Sequence, residues 1–253
     1  MRPLPNCSSR SVVLLLEAIL VAFLAVAAEA KTPQAIFYQQ AANPVWISAK
    51  AAEQKGLDDP ASFHPMAADT IRHILAQTPV AGCYEAGPII FEFSGGRNPP
   101  RSYQDAARTY PVFAYGVARE LTPGFLFGEA GNLVRLEVSQ ISRGFQEGQE
   151  VFVFLPLGEL VFQGKKICKR DPRYAGLPAV GDEVLVFSDK PFTVKDLLLR
   201  IDYPESVTIV TGDKLLVAPA FEQGTDSRSG SAEKPTTREE LLALLPVLQA
   251  TDA

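Results

Sequence analysis

Across residues 109–189 the apolar side chains recur at every second position or in short unbroken runs closed by Gly and Asp, with no helical period among them. Nothing else in the sequence narrows the fold as far. In "NLVRLEVSQI" Val134, Leu136 and Val138 fall on one face of an extended chain and Arg135, Glu137 and Ser139 on the other. A one-residue slip would turn the charges inward, so the register is specified. "EVFVFLPLG" and "DEVLVFSD" are almost wholly apolar between their bounds, as central strands covered on both faces require. "YPVFAYGVARELTPG" reads as one long strand with Gly116 inside it, the mark of a bulge or sharp bend. "ELVFQGKKICKRD" reads as a hairpin turning at Gly164. "KDLLLRIDYPESVTIVTGDKLLVAP" reads as a strand or short helix, a turn at Pro204 and a hairpin turning at Gly212-Asp213. Five strands within about 80 residues, the first long and bent, predict a mainly β domain over residues 109–221. The expected form is a small closed or nearly closed barrel extended by the last hairpin; an open β-sandwich is the alternative.

The flanks are of other kinds. Residues 31–108 form a mixed α/β lead-in. Its helix, "HPMAADTIRHILAQTP", opens at Pro65, carries Met66, Ile71, Ile74 and Leu75 on one stripe and has Pro79 beyond its end. A short strand is expected at 88–93, closing in a turn-rich loop at 94–100. Residues 222–237, rich in Ser, Gly and charge, have linker composition. A C-terminal helix over 238–253 follows, with Thr237 and Glu240 as a capping box, Leu241, Leu242, Leu244 and Leu245 as its apolar face and Pro246 limiting or kinking it.

At the start, Arg2 and Arg10 flank a short polar lead, residues 11–27 are nearly all apolar, and Ala28-Glu29-Ala30 supplies an A-x-A cleavage site. This predicts a signal peptide over 1–30 and a periplasmic or secreted product with no membrane span after processing. A retained anchor is the competing reading, but Glu17 interrupts the run and leaves it short for a bilayer. Once the leader with Cys7 is removed, Cys83 and Cys168 remain, in a compartment where disulfides persist. A structural Cys83–Cys168 bridge, two buried thiols and one reactive cysteine all remain open.

The chain has 24 Lys and Arg against 29 Asp and Glu, which leaves no broad basic surface of the kind nucleic acid needs. Its 47% hydrophobic content supplies a proper core. There is no G-x-S-x-G elbow, H-E-x-x-H helix, C-x-x-C pair or P-loop, and no catalytic residue, metal ligand or cofactor is assigned. His64 and His73, nine positions apart, do not share a helical face as i and i+4 ligands do. "FSGGRNPPR", with Arg97 and Arg101 beside two glycines, can be an anion-holding loop or an ordinary solvated turn. The concentrated charge feature is "GKKICKRDPR": Lys165, Lys166, Lys169, Arg170 and Arg173 fall within nine positions of an acidic chain. They suit an acidic glycan, an envelope component or an acidic protein partner, or else protect a strand edge.

Taken in order, "YGVARELTPG", "VRLEVSQISRG" and "VGDEVLVFSD" resemble the OB-like barrel of secreted bacterial proteins of unassigned function and, more distantly, the tissue-inhibitor and netrin-like modules. The shared order is a bent strand with a glycine, an alternating strand, a Gly turn and a closing G-D-x-V-L-V-F strand. The resemblance implies an OB-like barrel used as a binding scaffold. Tissue-inhibitor modules present an N-terminal cysteine to a protease metal, whereas this chain after processing would begin Lys31-Thr32-Pro33, so protease inhibition does not carry over. The expected function is that of an exported, non-catalytic binding protein. The alternative is a secreted or periplasmic hydrolase whose site is assembled from residues distant in sequence.

Overall fold

The computed structural model describes residues 32–37, 43–79, 83–86, 100, 102–142, 150–188, 190–193, 197–201, 206–217 and 235–251. The leader, the strand expected at 88–93, the Pro204 turn and most of the 94–101 loop and the 222–237 linker lie outside the described residues. The chain divides into Met1–Thr32 and Pro33–Ala253, and every element named below belongs to the second unit.

The strands are β1 Ala35–Phe37, β2 Pro44–Ser48, β3 Cys83–Ala86, β4 Val112–Leu126, β5 Glu129–Ile141, β6 Val151–Leu155, β7 Gly158–Phe162, β8 Lys165–Lys169, β9 Glu183–Ser188, β10 Lys190–Thr193, β11 Leu197–Arg200, β12 Val207–Thr211 and β13 Lys214–Val217. The helices are α1 Ala49–Lys55, α2 Pro65–Gln77, α3 Tyr103–Thr109 and α4 Arg238–Thr251. The main sheet runs β10-β11-β6-β5-β4-β9-β12-β13, with β2 joined to β4 and β1 to β2; β3, β8 and β7 form a second, three-stranded sheet. The fold is therefore mainly β, with a mixed lead-in and a C-terminal helix.

The closed barrel expected from the strand pattern is not formed, because β10 and β13, at the two ends of the sheet, do not pair with each other. The cause lies in β4, which is long enough to serve two strands on its side away from β5. There β9 takes residues 112–117 and β2 takes 124–126, so the sheet branches instead of closing. The stretch between carries a register shift at Ala118/Glu120 and then Pro123, which has no amide to offer. A bulge and a proline are the devices that keep an unpaired strand segment from pairing with another chain.

The inner face of the sheet, made of Val, Ala, Leu and Ile, is one continuous buried cluster that runs from Leu197 and Leu199 of β11 through the four intervening strands to Val207 and Ile209 of β12. The outer face is covered by α3 and α4 on one part, and by β1 and β2 on another. That explains the unbroken apolar runs: Val151–Leu155 is buried at every position, as is β9 after Glu183. Gly116 stands at the predicted bend, where the register shifts between Tyr115 and Gly116. A Cβ there would lie 2.3 Å from the Glu137 carbonyl oxygen and 2.8 Å from the Val138 Cα, so the two backbones meet because the side chain is missing.

The helices have chemically explicit ends. Ser48 Oγ accepts from the Ala51 amide at 3.2 Å to open α1. Thr237 and Glu240 form the capping box of α4, with Glu240 N–H to Thr237 Oγ1 at 3.3 Å and Thr237 N–H to Glu240 Oε2 at 3.2 Å. Leu241, Leu245 and Leu248 of α4 are fully buried against the outer face. Pro246 does not end this helix; it sits on the exposed side, where loss of one backbone bond is tolerated. In α2 the buried stripe is Ala68, Ile71, Ile74 and Leu75. Met66, expected on that stripe, lies on the opposite side at about 100° per residue and is exposed.

Candidate functional site

The basic segment folds as the predicted hairpin, β7 to β8, but its charges do not form one cationic surface. Lys165 donates from Nζ to the Leu75 carbonyl at 2.5 Å, at the end of α2. Lys166 pairs with Glu159 at 2.7 Å, and Arg170 reaches the same carboxylate at 3.5 Å. Those two cations hold Glu159 below the usual carboxylate range, Lys166 most. Arg173 folds back on Asp171 at 2.7 Å and likewise holds it below the usual carboxylate range. Lys169 points inward: its side chain is 7% exposed and bonds Glu129, which is 13% exposed. Arg200 approaches the other oxygen of Glu129 at 3.6 Å. This mostly buried Lys169–Glu129–Arg200 group ties β8 of the small sheet to β5 and β11 of the large one.

Cys83 and Cys168 lie on hydrogen-bonded parallel strands. Cys83 stands opposite Lys166 and Cys168 opposite Glu85, two register steps apart. His64 and His73 go separate ways. His64 Nδ1 accepts the Met66 amide at 3.3 Å as the cap of α2, while His73 Nε2 meets the Gln77 amide nitrogen at 2.8 Å.

A feature that the sequence reading missed lies at the tip of the β4–β5 hairpin. Leu126 pairs with Glu129, so Phe127 and Gly128 form a two-residue loop, and both have positive φ, 50° and 87°. This is the backbone of the tight turn whose favoured filling is Asn-Gly. Here a phenylalanine holds the first place and is 48% exposed. Its N–H donates to the Val45 carbonyl at 2.9 Å, which sets the tip beside β2. Phe37, 43% exposed, stands opposite Pro44 at the start of that same strand. On the other side Gly128 abuts the first turn of α2: a Cβ there would lie 2.8 Å from the Ala67 oxygen. Met66, 74% exposed, is the neighbouring residue of that turn. Three elements that approach this tip thus each carry an exposed apolar residue, Phe37, Met66 and Phe127. The signal is present as x-Gly between two strand runs, but the sequence reading ends one strand at Gly124 and opens the next at Asn132, which leaves the turn between them unassigned.

The sequence matches no protein-family description, no curated protein and no solved structure. Among the described residues no helix is long and apolar enough to cross a membrane.

Proposed function

We propose that the chain is an exported, non-catalytic binding protein that contacts a protein partner through the rim of Phe37, Met66 and Phe127. Phe127 carries the reading. An L-residue with a bulky side chain costs about 1 kcal/mol or more in the left-handed region, and half of this ring meets water. Backbone strain of this sort gathers at functional positions, and grouped exposed apolar side chains mark contact surfaces. A protein partner is favoured over an acidic glycan because the hairpin cations already have partners within the fold.

Export is supported by the leader pattern of residues 1–30. Kinship with the secreted OB-like proteins is supported by strand order alone, the bent β4, alternating β5 and closing β9. A Cys83–Cys168 bridge is supported by the pairing of β3 with β8 and by the half-cystine state of the buried Cys168.

The test is site-specific photo-crosslinking in cells producing the exported protein. A photoreactive residue at position 127 should yield a discrete protein adduct. The same residue at Val180, also exposed and apolar but next to Gly181, which bonds Ala118 well away from the tip of β4, should yield none. No adduct at 127, or equal labelling at both positions, overturns the reading.

A further inference from the structure

We propose that Arg135 anchors a second binding site, one that takes a single carboxylate group on the outer face of the large sheet. A guanidinium keeps its charge in proteins and presents a planar fork of N–H donors, so out of water it needs acceptors around it. The Arg135 side chain is 19% exposed, and its Nε is buried without a hydrogen-bond partner. Its partner in charge is Glu120, whose Oε2 stands 3.6 Å from that Nε, beyond hydrogen-bonding range. A second pair on the same two strands gives the contrast. Arg119 and Glu137, both more exposed, close into a hydrogen bond, while the better-buried pair stays open. Glu120 is drawn the other way, since its Oε1 accepts from the Thr122 hydroxyl at 3.4 Å. A buried cation with donors unmet is costly to the fold, and an added acceptor removes that cost.

The fold leaves a way in. On the outer face Leu133, two residues before Arg135, belongs to the part covered by β1 and β2, and Tyr115 to the part covered by α3 and α4. Arg135 and Glu120, opposite each other on β5 and β4, lie between these two covers. Beside them, among the described residues, no strand pairs with the far side of β4 between Val117, where β9 stops, and Gly124, where β2 begins. Arg119 and Pro123 of that stretch are exposed, and so is 40% of the Glu120 side chain. A ligand therefore reaches the guanidinium past Glu120 with both covers in place. The donors select its chemistry. Nε–H lies in the guanidinium plane beside an Nη–H, and two parallel donors match the two oxygens of a carboxylate. Phosphate fits less well, because Glu120 and Glu137 flank this one cation and repel a dianion more than a monoanion. Phe152, fully buried opposite Arg135 on β6, makes one flank apolar, so an ion pair formed there is weakly screened. A free carboxylic acid and the C-terminus of a peptide present the same group.

The experiment follows the Arg135 Nε–H by NMR in the full exported protein at neutral pH. Propionate, N-acetyl-alanyl-alanine, phosphate and chloride are added in separate titrations at matched ionic strength. The resonance should move and saturate with propionate or with the dipeptide, and the tighter of the two names the source of the carboxylate. Phosphate should move it less, and chloride should leave it in place. Arg135→Lys keeps the charge and loses the fork, so by calorimetry it should bind the same carboxylate about tenfold more weakly or worse. An Nε–H that stays in place in both carboxylate titrations overturns the proposal. So does one that responds as strongly to chloride or more strongly to phosphate, or an R135K protein that binds as wild type does. The wild-type titration needs no variant, so misfolding of R135K leaves it decisive. The site shares no residue with Phe37, Met66 and Phe127, so loss of the position 127 adduct would sink the binding reading alone.

Discussion

Arg238 grips both carboxylate oxygens of Glu183 at 2.6 Å, Nε to Oε2 and Nη2 to Oε1, across 55 positions of chain. The Tyr115 hydroxyl donates to the same Oε2 at 2.6 Å. A residue at the first turn of α4 is thereby fixed to the first residue of β9 and to the first part of β4. Arg238 first, and Tyr115 after it, hold Glu183 below its ordinary value of 4.5. Burial, followed by the Glu183 carboxylate, pushes the Tyr115 phenol up.

The pH dependence follows from the depressed Glu183. Its contribution to stability is present at all pH above the ordinary carboxylate value and is lost as pH falls through the folded-state value. Glu183→Gln should lower Tm by about 2–4 °C at neutral pH, the effect being moderated because Arg238 is partly exposed. Below pH 4.5 the wild-type and variant curves should converge. A gap that is constant down to acid would mean that the glutamine loses packing and not charge.

Lys166 and Lys169 look equivalent in "GKKICK" and differ in the structure. Lys169→Met leaves Glu129 mostly buried with only Arg200 near it, and should cost about 3 kcal/mol in urea unfolding, the low end for a broken buried pair. Lys166→Met should leave the urea midpoint where it is, since both members of its pair with Glu159 are about half exposed. Equal midpoints for the two variants would contradict the inward placement of Lys169.

Gly116→Ala tests the bent strand. The new methyl would meet backbone atoms of Glu137 and Val138, which cannot turn away as a side chain could, so a loss of about 3 kcal/mol or more is expected. At Gly164 the space is open and only the positive φ of 72° opposes a side chain, so Gly164→Ala should cost about 1–2 kcal/mol. Urea midpoints rank the two, and the reverse order would remove the close approach as the reason for Gly116.

Periodicity and burial are local properties, and the sequence carried them well. The runs at 150–158 and 182–189 announced strands covered on both faces, and Gly116, Gly164, Gly212, Thr237 and Glu240 announced a bend, two turns and a cap. Closure is not local. Whether β4 meets one strand or two on its second side depends on β2, more than 60 positions upstream, and no pattern within 109–189 encodes it. The charged groups fail to read for the same reason. Lys169 finds Glu129 forty positions away and Arg238 finds Glu183 fifty-five away, so local charge density in "GKKICKR" could not separate inward from outward lysines.

Phe127→Asn separates a residue kept for folding from one kept for contact. Asparagine tolerates the left-handed conformation and makes the favoured Asn-Gly turn, which should recover about 1 kcal/mol of backbone strain. Loss of the half-buried ring offsets part of that, so a net rise in Tm of about 2 °C is expected. Phe127→Ala loses the ring and keeps the strained φ, so it should melt below both wild type and the asparagine variant. With a photoreactive group at Met66 as reporter, both variants should lose the partner adduct, the asparagine protein doing so while more stable than wild type. An asparagine variant that melts below wild type would make the Phe127 ring a folding element, and the rim would then lose the feature that marks it as a contact surface.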